Sequence, residues 1–309
     1  MSSIDELSVL DEAVLADLRT LASDEMRGRQ PDSEGSERAC EHIVAALYRL
    51  GIAPVGPSHE IPFSWTSDDG RTRYGTNVVG IIPGTARPER ILVLGAHYDH
   101  LGVDGEDDGG PRRVASQRIC NGADDNASGV AALLGVARHF ARRRPESTLV
   151  LTFFDGEEDD MRGSRDFVAR PPVPLERVAA FVNLDMLGRD LGNTLWAVGP
   201  HHYPQLRPPI EAVAERAPVR LRMGHDRLGW VPLLGWDWTG MSDHASFHDR
   251  GIPFVYFGVA NHDDTHETSD TVEAIDEDFF LRAFRTVLDA VGELDARAGE
   301  LLASRSSEG

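Results

Sequence analysis

Four short apolar runs in this chain each end on side chains that can hold metal ions or move protons. Residues 91–96 deliver His97-Tyr98-Asp99-His100, and residues 148–154 deliver Asp155-Gly156-Glu157-Glu158. Residues 179–184 end at Asp185, and residues 253–259 lead into a loop carrying His262, Asp263, Asp264 and His266. Between the first two runs, Gly122-Ala123-Asp124-Asp125-Asn126 stands where a helical pattern begins. One acidic residue after a strand is an ordinary helix cap. Five such termini in one chain are poorly explained that way, because open α/β sheets gather their ligands beyond the carboxyl ends of the strands. Carboxylates crowded there would repel one another and resist ionisation unless cations neutralised them. A pair of divalent ions resolves the conflict. Imidazole and carboxylate without thiolate suits Zn²⁺, with Mn²⁺ or Co²⁺ as substitutes.

Other chemistries fail on the same text. His266-Glu267-Thr268-Ser269-Asp270 begins like a helical H-E-x-x-H zinc motif, but Asp270 stands where the second histidine belongs. No G-x-S-x-G elbow is present for a serine nucleophile, and no G-x-G-x-x-G follows a strand-like run. All 31 basic residues are arginine. The absence of lysine excludes Schiff-base, Ser-Lys and P-loop mechanisms.

The elements that must position these residues alternate. Helical periodicity runs near 5–22, 36–50, 128–143 and 276–296, and β-branched apolar runs near 77–82, 91–96, 148–154, 179–184 and 253–259. Nearly continuous apolar strands between helices imply a sheet covered on both faces. The expected fold is therefore three-layer α/β/α with a mixed, mainly parallel central sheet, in a single domain over residues 1–309. Residues 188–240 break the pattern with four of the five tryptophans. They read as an excursion from the sheet that caps the substrate pocket, with Trp230, Trp236 or Trp238 touching substrate.

Read in order, several stretches closely resemble the two-zinc aminopeptidase family that includes aminopeptidase Y and bacterial leucyl aminopeptidases. They are Gly95-Ala96-His97-Tyr98-Asp99-His100-Leu101-Gly102, Asn121 through Gly129, Phe153 through Glu158 with Gly163-Ser164, Asn183-Leu184-Asp185-Met186, Ser242-Asp243-His244, and His266 through Thr271. Ser23 through Arg29 looks like the family's N-terminal signature. The resemblance implies that Asp125 bridges two Zn²⁺, with His97 and Asp185 on one ion and Glu158 and His266 on the other. It implies Glu157 as general base and Asp99 as the residue orienting His97 from behind. The implied activity is hydrolysis of the N-terminal bond of a peptide with a free N-terminus. His262 is the weaker alternative to His266, while His100, His244 and His248 read as supporting residues. The family's secreted members often carry a tyrosine shortly before Ser-Asp-His, where this chain has Trp238-Thr239-Gly240-Met241. A glutaminyl-cyclase-like enzyme with one zinc is the nearest competing reading, and a non-catalytic binding protein on the same scaffold the next.

A net charge of −20 opposes binding to nucleic acid. No run approaches the roughly 18 apolar residues of a membrane span, and the first ten residues lack a basic-then-apolar leader. Cys40 and Cys120 are too few for a disulfide framework. The expectation is a cytoplasmic protein, with secretion as the alternative.

Overall fold

In the computed structural model, residues 3–67, 69–103, 118–227 and 236–307 are described. The strands are β1 (Ala53–Pro54), β2 (Glu60–Thr66), β3 (Thr72–Ile82), β4 (Arg87–His97), β5 (Gly102–Val103), β6 (Ile119–Cys120), β7 (Ser147–Phe154), β8 (Val178–Leu184), β9 (Thr194–Val198), β10 (Arg220–Met223) and β11 (Phe254–Gly258). Nine of them form one mixed sheet in the order β1-β3-β7-β4-β8-β11-β9-β10, with β2 also on β3. Its centre, β7-β4-β8-β11, is parallel. Strands β3 and β9 join antiparallel on either side of it.

Period-two alternation explains the layers. Leu92, Leu94, Leu149, Leu151, Ala180 and Val182 face one apolar core, and Ile91, Val93, Val150, Phe154 and Phe181 face a second. The first is filled from helices α1 (Ser3–Leu21), α2 (Glu34–Arg49), α3 (Gly129–Arg142) and α7 (Glu277–Ala296). The second takes Phe167 from α4 (Arg162–Ala169) and Phe247 from α6 (His244–His248). Phe247 stacks on Phe181 with ring centroids 3.8 Å apart, anchoring α6 against β8. Helices α5 (Arg207–Ala214) and α8 (Ala298–Ser307) complete the described set. Among the described residues, no helix is long and apolar enough to cross a membrane.

The stretch 188–240 corrects the sequence expectation in part. Rather than leaving the sheet, it builds strand β9, the edge strand β10 and helix α5. Strand β9 is short though buried, and β10 is short and half exposed, so neither gives a strong apolar run. Residues 228–235, including Trp230, lie outside the described set.

Candidate metal centre

Four parallel strands ending at one rim bring the polar residues that follow them together. His97 closes β4, Asp185 follows β8, and Glu157 and Glu158 follow β7 through a turn at Gly156. Gly156 has φ +71°, the left-handed region where a side chain is costly. Asp125 comes from the kinked turn Ala123–Ser128 immediately before α3, where its own backbone is non-helical (φ −106°, ψ 92°). His266 reaches in from the loop after β11.

Their donor atoms converge on two adjoining points. His97 Nε2 lies 3.3 Å from Asp125 Oδ1 and 3.4 Å from Asp185 Oδ1. His266 Nε2 lies 3.1 Å from Asp125 Oδ2 and 3.2 Å from Glu158 Oε2. Asp125 thus turns one oxygen to each histidine. His97, Asp125 and Asp185 form one group compact enough to hold a metal, and Asp125 and Glu158 form a second together with His100. His100, expected from the sequence as a supporting residue, has its Nδ1 2.7 Å from Glu158 Oε1. Glu158 is therefore held by one imidazole from behind while facing another. The predicted ligands His97, Asp125, Glu158, Asp185 and His266 are all brought together, and the donor set fits divalent zinc.

The electrostatics show what a cation would relieve. Burial lifts the Asp185 and Glu157 carboxyls above their ordinary range, Glu157 well above it, with Asp243 adding negative field at Glu157. Burial works against the charge on His97, yet Glu157 and Asp185 hold its imidazolium well above the usual histidine value. Hydrogen bonds to Asp125 and Glu158 raise His266 to about 11. In the bare protein, protonated imidazoles take the place of cations.

Around this set, support comes mostly from backbone groups. The Asp99 carboxylate accepts the Glu157 and Glu158 amides at 3.1 and 3.2 Å. His97 Nδ1 bonds the Asp99 carbonyl at 3.2 Å, while the carboxylate lies 3.7 Å away. The structure thus shifts the expected role: Asp99 steadies His97 through its main chain and uses its side chain to fix the two glutamates. Asp270 accepts the Asp124 and Asp125 amides, and Asp124 Oδ1 accepts the Gly188 amide at 2.6 Å. The fully buried Arg29 donates to the carbonyls of Leu21, Tyr98, Asn121 and Gly122, tying the loop after His97 to the turn before Asp125. Its neighbour Gly28 packs where a Cβ would come within 2.4 Å of the Gly102 carbonyl oxygen.

His262 does not join the ligands. Arg189 donates to its Nδ1 at 2.7 Å, so Nε2–H is left to donate to Asp124 Oδ2 at 3.0 Å. Arg189 also pairs with Asp264. His244 donates from Nε2 to the Trp238 carbonyl at 2.8 Å, and Ser242 accepts from Asn183 of β8. Burial pushes His244 down to about 4, so it is neutral. Asp155 points away, accepting from Ser36, Thr76 and Tyr98, and burial lifts it to about 8.

A cavity of about 130 Å³ opens onto Asp125, Glu157, Glu158, Asp185 and His266, with Trp238, Met241 and Tyr256 on its far wall. Among the described residues, Trp238 is the named tryptophan that lines this cavity, and Trp236 is exposed. Tyr256 was not legible beforehand, being one aromatic among several in a buried strand. Its hydroxyl donates to the Asp185 carbonyl at 3.1 Å.

A mixed sheet, parallel only at its centre, with His/carboxylate donors at the C-terminal rim of that centre defines an α/β protein built to hold divalent metal. The comparisons agree, and residues 77–291, more than half of the chain, match the model of peptidase family M28, so the chain belongs to that family. A curated relative described as a probable zinc metalloprotease from Pyrenophora tritici-repentis is 36% identical over 216 residues, covering 62% of this chain and 48% of the relative. The chain spans about half or less of the length of the first curated relatives it matches. A leucine aminopeptidase precursor from Bacteroides thetaiotaomicron has a similar fold, with TM-score 0.69 at 18% identity over 91% of this chain and 96% of that one. A glutaminyl cyclase from Porphyromonas gingivalis does too, with TM-score 0.72 at 21% identity over 92% and 98%.

Proposed function

We propose that the protein is an aminopeptidase that uses two Zn²⁺ to hydrolyse the N-terminal bond of peptides. The observation that carries this reading is the pair of donor groups sharing Asp125, whose two oxygens lie 3.3 and 3.1 Å from His97 and His266. His97 and Asp185 would hold one ion, Glu158 and His266 the other, and Asp125 both. When bound, the ions supply Lewis acidity and lower the pKa of a water molecule toward neutrality. Glu157 accepts the proton of that water and returns it to the leaving amine. Enclosure that raises the Glu157 pKa suits a group that must both take and give a proton. Trp238, Met241 and Tyr256 enclose the side chain of the N-terminal residue.

The measurement that tests this is the number of zinc ions per chain after stripping and reconstitution, read beside hydrolysis of aminoacyl substrates. About two ions with N-terminal cleavage upholds it. One ion with cyclisation of N-terminal glutamine would transfer the assignment to a cyclase, the reading favoured by the fold shared with the Porphyromonas gingivalis enzyme. Full function in a Glu157→Gln variant would make hydrolysis irrelevant and favour a binding protein.

A further inference from the structure

A larger cavity, of about 490 Å³, shares Glu158 as a wall with the one just described. Glu158 lines both cavities, and His100, hydrogen-bonded to Glu158, lines the larger. A substrate bond at the metal centre thus has space on two sides. The smaller space is walled by Trp238, Met241 and Tyr256 and suits one side chain. The larger space is open and partly charged.

Its charges do not simply cancel. The Asp69 carboxylate is engaged by the Ser67 hydroxyl and the Arg71 amide, Asp160 by Arg165 at 2.6 Å, and Glu158 by His100 and His266. Asp159 and Arg73 have partners of their own. On the wall, the Arg162 guanidinium has no ion-pair partner among the described residues, and its Nε and the Trp65 Nε1, shut off from solvent, meet no acceptor. They flank Gly156, since a Cβ there would lie 3.2 Å from Arg162 Cβ and 3.6 Å from the Trp65 ring. Both side chains therefore pack over the turn that delivers Glu157 and Glu158. A buried donor without an acceptor is unfavourable, and a guanidinium fork is matched to a carboxylate.

We infer that this cavity is the site for the leaving part of the substrate, and that the Arg162 guanidinium, backed by the Trp65 ring, binds a peptide C-terminal carboxylate there. The inference rests on the aminopeptidase reading and deepens it: the preferred substrates are short peptides with a free C-terminus. An amide-capped leaving group loses the charge that Arg162 meets.

The test compares the dipeptide Leu-Gly with Leu-glycinamide on the zinc-loaded enzyme, in the wild type and in Arg162→Gln and Trp65→Phe variants. The expected result is a wild-type preference for the free acid in kcat/KM. Arg162→Gln reduces it by about ten- to a hundredfold, as for loss of a charge-assisted hydrogen bond, with little change on the amide. Trp65→Phe, which keeps the ring, reduces it less. Equal losses on both substrates in each variant would make these residues structural and overturn the inference, as would equal wild-type rates. Calorimetric binding of the two ligands to the zinc-loaded Glu157→Gln protein separates the two readings. Selective binding of the free acid without hydrolysis by the wild type fails the peptidase reading alone, whereas equal binding fails the carboxylate site alone.

Discussion

Glu157 and Glu158 are adjacent in sequence and opposite in electrostatic character. Glu158 faces two imidazoles and has its pKa held below the usual range despite burial. Near Glu157 the His97 imidazolium pulls the same way, but burial outweighs it and drives the Glu157 pKa up. One turn thus presents a permanent anion suited to a cation and a carboxyl able to exchange a proton. Replacing Glu157 with Gln keeps size and removes basicity, so kcat should fall about 10²- to 10⁴-fold while zinc content stays unchanged. Steady-state kinetics paired with metal analysis checks this. A variant that lost zinc along with activity would place Glu157 among the ligands instead.

At the scale of elements, the centre depends on connections that the strands do not provide. The loop bearing His266 is strapped to the turn bearing Asp125 by His262, which bridges Asp124 and Arg189. A His262→Ala variant removes the strap and no proposed ligand. With the proposed pair of ions bound, affinity for one should drop about tenfold to a hundredfold, as for other groups that orient ligands from behind, with the second unaffected. Chelator competition resolves the two ions, and equal weakening of both would argue against a local strap. Arg29 acts on a different junction. Its guanidinium serves four carbonyls in a fully buried setting, and burial pushes its pKa down to about 10. Arg29→Met leaves those carbonyls without donors and should cost about 3–5 kcal/mol of stability, measured by denaturant unfolding. The sequence showed the signature around Arg29 but not its purpose, because contacts 69 to 93 residues apart leave no periodic trace.

The whole molecule explains which features could be read in advance. Strands β4, β7, β8 and β11 are buried on both faces, so each is an unbroken apolar run whose polar stop is conspicuous. That is why His97, Asp185 and the two glutamates stood out. Strand β2 alternates exposed and partly buried residues at the margin of the sheet, and β9 and β10 are short. Their signal does not rise above that of loops. Tyr256 belongs to the centre only because β11 and the end of β8 lie side by side there, which spacing along the chain cannot convey.

Metal and fold are coupled through protons at this largest scale. In the metal-free protein, Asp125 and Glu158 raise His266 to about 11, against about 6.5 for an unfolded histidine. His97 is shifted in the same direction, and the enclosed Glu157 and Asp185 also hold protons more tightly than when unfolded. Between pH 6.5 and 9 the folded bare chain therefore binds more protons than the unfolded one, so its stability must fall as pH rises. The contribution from His266 is complete below about 6.5 and is lost on the way to 11, reduced by its partial exposure to solvent. Zinc requires neutral imidazoles and displaces those protons, so the loaded protein lacks this dependence. The gap in Tm between loaded and stripped protein should widen from pH 6.5 to pH 9. Calorimetric scans of both forms across that range measure it. A constant or narrowing gap would mean that protons do not stand in for the cations at this centre.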